Sequence, residues 1–352
     1  MRRVGLGLFG GIAGAVAATA AVGLAVERYA VGRTRLRPDP AAGEPLGQLT
    51  GTARAVVADD GVPLYVEEVG WASTPTVVFV HGYVLDRRCW HYQWRHLRDL
   101  GRLVCYDQRS HGRSGRGSRD RTTIDQLGSD LLAVLDAAVP RGPVVLVGHS
   151  MGGMAIMALA GTRPELFGRR VCGVALISTS TGKLDEVTLG LPAMVSRLLR
   201  SATPVAIRVV ERRVDLVERG RRAGSDIAFL LTRWYSFGSG VSPSLVAFVE
   251  RMIDGTRVDV MTEFLPALME HDKTAALSPL GGVPTLVLIG GRDKQTPVSH
   301  SRDIVDALPD AELVVLPDAG HLLMLERPDE VNQHLRELVR RATAPAEQSS
   351  PA

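Results

Sequence analysis

Cysteine, asparagine and lysine are all scarce in this 352-residue chain. The three cysteines, Cys89, Cys105 and Cys172, are too widely spaced for a disulfide framework and offer no metal-ligand spacing. A dominant charge is also missing. The 41 basic and 38 acidic residues leave a formal net charge of +3, which gives no case for a nucleic-acid partner without a concentrated basic patch. Only Lys183, Lys273 and Lys294 are lysines, and only Asn332 is an asparagine. That bias reads as a property of a GC-rich coding sequence rather than as phosphate recognition. No internal repeat is present.

Against these absences, 45% of residues are apolar and 22% charged, which excludes wholesale disorder and supplies a sizeable core. The length suits two domains, or one large domain with an insertion. One uncharged run stands apart: Val4–Val26, between Arg2-Arg3 and the cluster Glu27, Arg28, Arg33, Arg35 and Arg37. About 20 apolar residues span a bilayer as a helix, so the run is long enough, although six glycines dilute it. An uncleaved signal anchor is the favoured reading. A cleaved signal peptide ending near Ala18-Thr19-Ala20, or a helix lying on a membrane or protein surface, stays open. Membrane association or export to the cell envelope is expected, without an assigned orientation, because arginines flank both ends. A Pro- and Gly-containing linker follows, so that residues 1–51 precede a folded unit beginning near Thr52, and residues 343–352 form a small-residue tail.

Between these limits short β-branched runs alternate with amphipathic segments. Ala53–Ala58 and Leu64–Val69 flank Asp59-Asp60-Gly61, a hairpin signal. Val77–Val80, Leu103–Tyr106, Val144–Val147, Val174–Ile177, Leu286–Ile289 and Leu313–Leu316 are short apolar runs suited to strands buried on both faces of a parallel sheet. Helical patterns over 90–100, 123–138, 151–160, 299–308 and 328–341 separate most of them, which indicates an α/β fold with helices on both faces. Residues 181–276 break the rhythm with a mostly helical pattern. They are expected to form a cap or lid over the carboxyl edge of the sheet, with the core built from 52–180 and 277–342.

The chemistry centres on Gly148-His149-Ser150-Met151-Gly152, a G-x-S-x-G directly after a buried strand and directly before a helix. A turn that tight needs small residues two before and two after the nucleophile, and Gly148 and Gly152 meet that need. A serine hydroxyl needs a positioned base, itself oriented by a carboxylate. Strand–helix order places the acid after a late strand, at Asp293, and the base after the last one, at His321. Asp318 and Asp272 are weaker acids for the role, and His81, His111 and His149 weaker bases. An oxyanion needs two preorganised amides. The Met151 N–H supplies one, and the Tyr83 N–H, after His81-Gly82, is placed for the other.

With these motifs in order, the chain resembles the α/β-hydrolase fold family, in its esterase, lipase and lysophospholipase-like branch with a helical cap. The matching residues are His81-Gly82-Tyr83, Tyr106 to Ser114, Gly148 to Gly153, Gly291-Arg292-Asp293, Gly320-His321 and Glu326 to Val331. Ser110 stands where the family's second motif usually has glycine. Ser150 and Val84 depart from the aspartate nucleophile and the proline that mark dehalogenase and epoxide-hydrolase relatives. The implied activity is hydrolysis of carboxylic esters, lipid-like or short-to-medium acyl, through an acyl-enzyme, with no metal or cofactor. The same triad also suits amide, peptide, thioester or carbon–carbon bond hydrolysis and perhydrolysis, and a low-turnover ligand receptor is the reading from a different class.

The insertion is expected to choose the substrate. It holds Phe229, Phe237, Phe248, Phe264, Trp234 and Tyr235, which either build its own small core or line an apolar acyl pocket. Its arginine-dense stretch Arg197–Arg222 is either a solvated face or a contact for anionic lipid headgroups. The sequence leaves the oligomeric state open.

Overall fold

The structure is a computed structural model that describes residues 36–71, 75–188 and 225–344, together with residues 32, 190, 201, 207–208, 212–214 and 217–218. Val4–Val26 and most of Arg197–Arg222 lie outside the described residues. Among the described residues no helix is long and apolar enough to cross a membrane.

Strands β1 (Thr52–Val57) and β2 (Pro63–Val69) pair antiparallel around the expected turn, where Gly61 takes a positive φ of 86° and Ala58 N–H bonds Val62 O at 2.9 Å. After them come β3 (Thr76–Val80), helix α1 (His91–His96), β4 (Leu103–Tyr106), α2 (Ile124–Ala138), β5 (Val144–His149), α3 (Met151–Thr162) and β6 (Val171–Ile177). Helices α4 (Ser225–Ser236), α5 (Pro243–Gly255) and α6 (Val258–Met269) fall between β6 and β7 (Thr285–Gly290). The chain then forms α7 (Val298–Ala307), β8 (Glu312–Leu316), the short α8 (Leu323–Glu326) and α9 (Pro328–Thr343). The eight strands form one sheet in the order β1-β2-β4-β3-β5-β6-β7-β8, antiparallel at β1/β2/β4 and parallel from there on.

Every residue of β3, β4, β5 and β7 is buried, as continuous apolar runs in a covered parallel sheet should be. The period of two divides their side chains. Val78, Val80, Val104, Tyr106 and Leu146 pack on α2 and α3, whereas Phe79, Cys105, Val145, Val147 and Leu288 pack with Trp90, Trp94 and Leu335 on the opposite face. The segment between β6 and β7 contributes to both sides: Val260, Phe264 and Leu268 of α6 join the first cluster, and Leu245, Val246 and Phe248 of α5 the second.

Three stretches differ from the expectation. Residues 313–316, expected to be buried on both faces, lie in the edge strand β8, where only Leu316 is buried and Val315 is exposed. The helix expected over 90–100 divides into a tight turn at Arg87–Trp90, α1, and another at Arg98–Leu100, because i→i−3 bonds replace the α pattern at both ends. Residues 38–51, expected as linker, pack specifically. Ser244 donates from its N–H and its Oγ to Asp39 Oδ2, and Ala41 is buried against α5.

Candidate active site

Strand β5 lies at the centre of the sheet, between β3 and β6, and delivers Ser150 at its carboxyl end. Ser150 has φ 52° and ψ −120°, a backbone conformation that L-residues avoid unless their surroundings impose it. The surroundings are visible. A Cβ on Gly148 would lie 2.7 Å from Gly152 C, and one on Gly152 would strike the Val80 carbonyl, so neither position admits a side chain. Ser150 N–H bonds Ile177 O at 2.9 Å, anchoring the turn to β6. The turn leaves Ser150 half-buried at the N-terminus of α3.

Asp293 and His321 follow β7 and β8. Their two turns abut: Gly291 N–H bonds Leu316 O at 2.8 Å and Arg292 N–H bonds Ala319 O at 2.9 Å. This contact sets His321 Nδ1 2.8 Å from Asp293 Oδ2, both groups buried. Because the carboxylate accepts, Nδ1 carries the proton and Nε2 is the basic nitrogen. Burial would raise the Asp293 carboxyl, but the facing His321 and the bonds from Thr296 hold it below the ordinary carboxylate value. Asp293 Oδ1 accepts from Gln295 N–H (2.8 Å) and Thr296 N–H (2.9 Å), and Oδ2 accepts from Thr296 Oγ1 (2.8 Å). The alternative acids lie elsewhere: Asp318 is exposed and paired with Arg292, and Asp272 is exposed and caps Thr274 N–H.

The rival histidines are committed to structure. His81 donates from Nδ1 to Gly82 O (2.7 Å) and accepts Gln108 N–H at Nε2 (2.9 Å), and burial lowers it to about 4. His111 donates to Arg109 O at 2.9 Å, and burial lowers it to about 3. His149, fully buried and held neutral by burial, donates from Nε2 to the His321 carbonyl at 3.0 Å. It therefore supports the turn that carries His321, a role sequence reasoning missed.

The loop after β3 closes over Ser150. A Cβ on Gly82 would lie 2.7 Å from His149 Nδ1 and 3.1 Å from Ser150 Cβ, so glycine alone permits this approach. Among the described residues neither the Tyr83 nor the Met151 amide N–H has an acceptor. Tyr83 Oη donates to Met261 O at 2.6 Å, joining this loop to α6.

A sequence model described as the alpha/beta hydrolase family matches residues 77–334. The chain belongs to the alpha/beta hydrolase family. Among curated relatives, it is 29% identical over 78% of its length to the dihydrolipoyllysine-residue acetyltransferase component of the acetoin cleaving system of Pseudomonas putida, and spans 66% of that protein. It is 28% identical to the sn-1-specific diacylglycerol lipase ABHD11 of Mus musculus, over 74% of this chain and 80% of the lipase. A solved thermophilic esterase from Thermogutta terrifontis superposes with a TM-score of 0.64 at 26% identity, covering 83% of this chain and all of the esterase.

In this alpha/beta hydrolase one cavity of about 990 Å³ is lined by Ser150, His321 and Tyr83 together with Leu231, Val249, Ile253, Leu265 and Met269 from the segment between β6 and β7. The four phenylalanines of that segment are not in the lining: Phe229, Phe237, Phe248 and Phe264 are all buried in the core clusters. Of the aromatic residues the sequence singled out there, Tyr235 reaches the cavity, and Trp234 sits at the surface with Lys294 Nζ 4.2 Å from its ring.

Proposed function

We propose that this alpha/beta hydrolase cleaves carboxylic esters, lipid-like or short-to-medium acyl, through an acyl-enzyme on Ser150. The observation that carries the reading is the convergence of a strained serine turn and a buried His321–Asp293 pair on one largely apolar cavity. In the proposed cycle Ser150 Oγ attacks the ester carbonyl while its proton passes to His321 Nε2. Asp293 fixes the tautomer and stabilises the imidazolium. The Tyr83 and Met151 amides receive the oxyanion, each worth about 10²–10³ in turnover. Collapse expels the alcohol, which takes the proton from His321. Water, deprotonated by the same nitrogen, then releases the acid and restores Ser150. The cycle uses side chains, backbone amides and water.

In the same reading residues 181–276 act as a lid whose apolar side chains receive the acyl chain, above a core of 52–180 and 277–342. The test is labelling with a fluorophosphonate, followed by a panel of p-nitrophenyl esters of increasing chain length beside amide and thioester substrates. Wild type should label and turn over esters fastest, and Ser150→Ala should do neither. Equal labelling of Ser150→Ala would remove Ser150 as nucleophile. Wild-type labelling without turnover would favour a ligand receptor on the same fold.

A further inference from the structure

Glu326 ends α8, five residues beyond His321, and is almost completely buried at 7% exposure. Its carboxylate receives three backbone N–H groups from two turns far apart in sequence. Oε2 accepts from Gly320 (2.7 Å) and Gly238 (3.1 Å), and Oε1 accepts from Ser239 (2.6 Å). Gly320 immediately precedes His321; Gly238 and Ser239 follow the end of α4. The two turns touch backbone to backbone, since a Cβ on Gly320 would lie 2.5 Å from Gly238 N and one on Gly238 would lie 2.6 Å from Asp318 O. Leu322 N–H adds a bond to Ser236 O at 2.9 Å, and both of these residues line the cavity, whereas Glu326 does not.

Buried N–H groups without acceptors are costly, so one carboxylate makes this contact between turns tenable. It also completes a two-sided hold on His321. His149 Nε2 grips the carbonyl of His321, and Glu326 grips the N–H of the residue before it.

We propose that Glu326 is a positioning residue for the reaction: it sets the backbone of His321 against the end of α4, so that the base and one wall of the substrate cavity are placed by a single side chain. This rests on the proposed Ser150–His321–Asp293 hydrolase. Glu326 neither touches substrate nor exchanges a proton. Its effect reaches the reaction through the placement of His321 Nε2, where an error of about 1 Å costs on the order of 10²-fold in rate.

The test is the full chain carrying Glu326→Gln, which keeps the volume but turns an NH₂ group toward N–H donors. Turnover of p-nitrophenyl butyrate is expressed per active site, counted by fluorophosphonate labelling at completion. The expected result is a fall in kcat per labelled site of about 10- to 100-fold, a slower labelling rate, and a KM within about threefold of wild type. Glu326→Asp, which retains the charge but draws it back by one methylene, should fall in between. A kcat per labelled site equal to wild type, with only a lower melting temperature, would show a purely structural role and overturn the proposal. If Glu326→Gln does not fold, Glu326→Asp is read by the same criterion: at least a threefold loss per labelled site supports the proposal, and no loss overturns it. Ser150→Ala, assayed beside them, separates the two ideas, because full turnover there overturns the hydrolase reading and not the role of Glu326 in holding the turn.

Discussion

At the scale of single residues, the site depends on atoms that are missing as much as on those present. Gly82 lies where any side chain would push on His149 Nδ1 and Ser150 Cβ, and His149 cannot yield freely because its other nitrogen holds the His321 carbonyl. Gly82→Ala should therefore displace Ser150 and His321, the proposed nucleophile and base, together. The expected outcome is a kcat/KM loss of about 10²-fold or more, with about 1–3 kcal/mol of overpacking cost in the urea midpoint; unchanged kcat/KM would break the proposed coupling. The turns that carry Ser150, Asp293 and His321 were legible in the sequence because each follows an apolar run. Thr296 was within reach, since an Asp followed three residues later by Thr is a local capping pattern. His149 and Glu326 were not. Their meaning lies in contacts with turns that are remote along the chain, 172 residues apart in the case of His149 and His321.

At the scale of elements, the β-branched runs identified every strand of the parallel sheet; burial on both faces explains the continuous apolar signature of β3 to β7, whereas β8 lies at the edge and is only half-buried. The helices between β6 and β7 were visible as helices, but their packing was not. Periodicity reports that a helix has an apolar face and is silent about what covers it. Phe264 of α6 is fully buried in the cluster formed with α2, α3 and the sheet, with its ring 5.3 Å from that of His111. Phe264→Ala should cost about 3–5 kcal/mol and lower the single unfolding transition seen by circular dichroism and tryptophan fluorescence alike. Two separated transitions would mean that α6 unfolds independently of the sheet. The same logic explains why residues 38–51 read as linker: turns carry no period, and their contacts with α5 are made by short polar side chains such as Asp39 and Ser244.

Across the whole molecule, the net charge of +3 says little about how the protein meets a change of pH. Burial lowers His81 and His271 to about 4 and His111 to about 3, from an ordinary value near 6.5. Each remains neutral in the fold while the unfolded chain takes up its proton first. Their stabilisation is therefore present above about pH 6.5 and is lost progressively as pH falls toward 4 and below. Asp107 acts in the opposite direction, because burial raises it to about 6; its contribution is complete below about 3.8 and lost as pH rises through 6. His91 and His149 are lowered by burial as well, and together these histidines outweigh the raised Asp107 and Asp130, so the unfolding free energy measured in urea should fall between pH 6.5 and 4.5. His271→Gln, which can still donate to Ser180 O, should flatten that slope by up to about 1.4 kcal/mol per pH unit. An unchanged slope would mean that His271 is already charged in the fold.

Within the segment between β6 and β7, the two ends of the stretch from Thr181 to Lys273 meet at one point, where Lys273 N–H bonds Thr181 O at 2.7 Å. A splice site so narrow makes the segment easy to exchange between homologous genes: a recombined protein need only join two neighbouring ends. The limit on such exchange is set farther in, where Phe264 and Phe248 enter opposite sides of the sheet. On the proposed reading, in which this segment receives the acyl chain, inheritance of a new substrate range would be governed less by where the chain is cut than by whether the incoming helices bring side chains that fill those two vacated volumes.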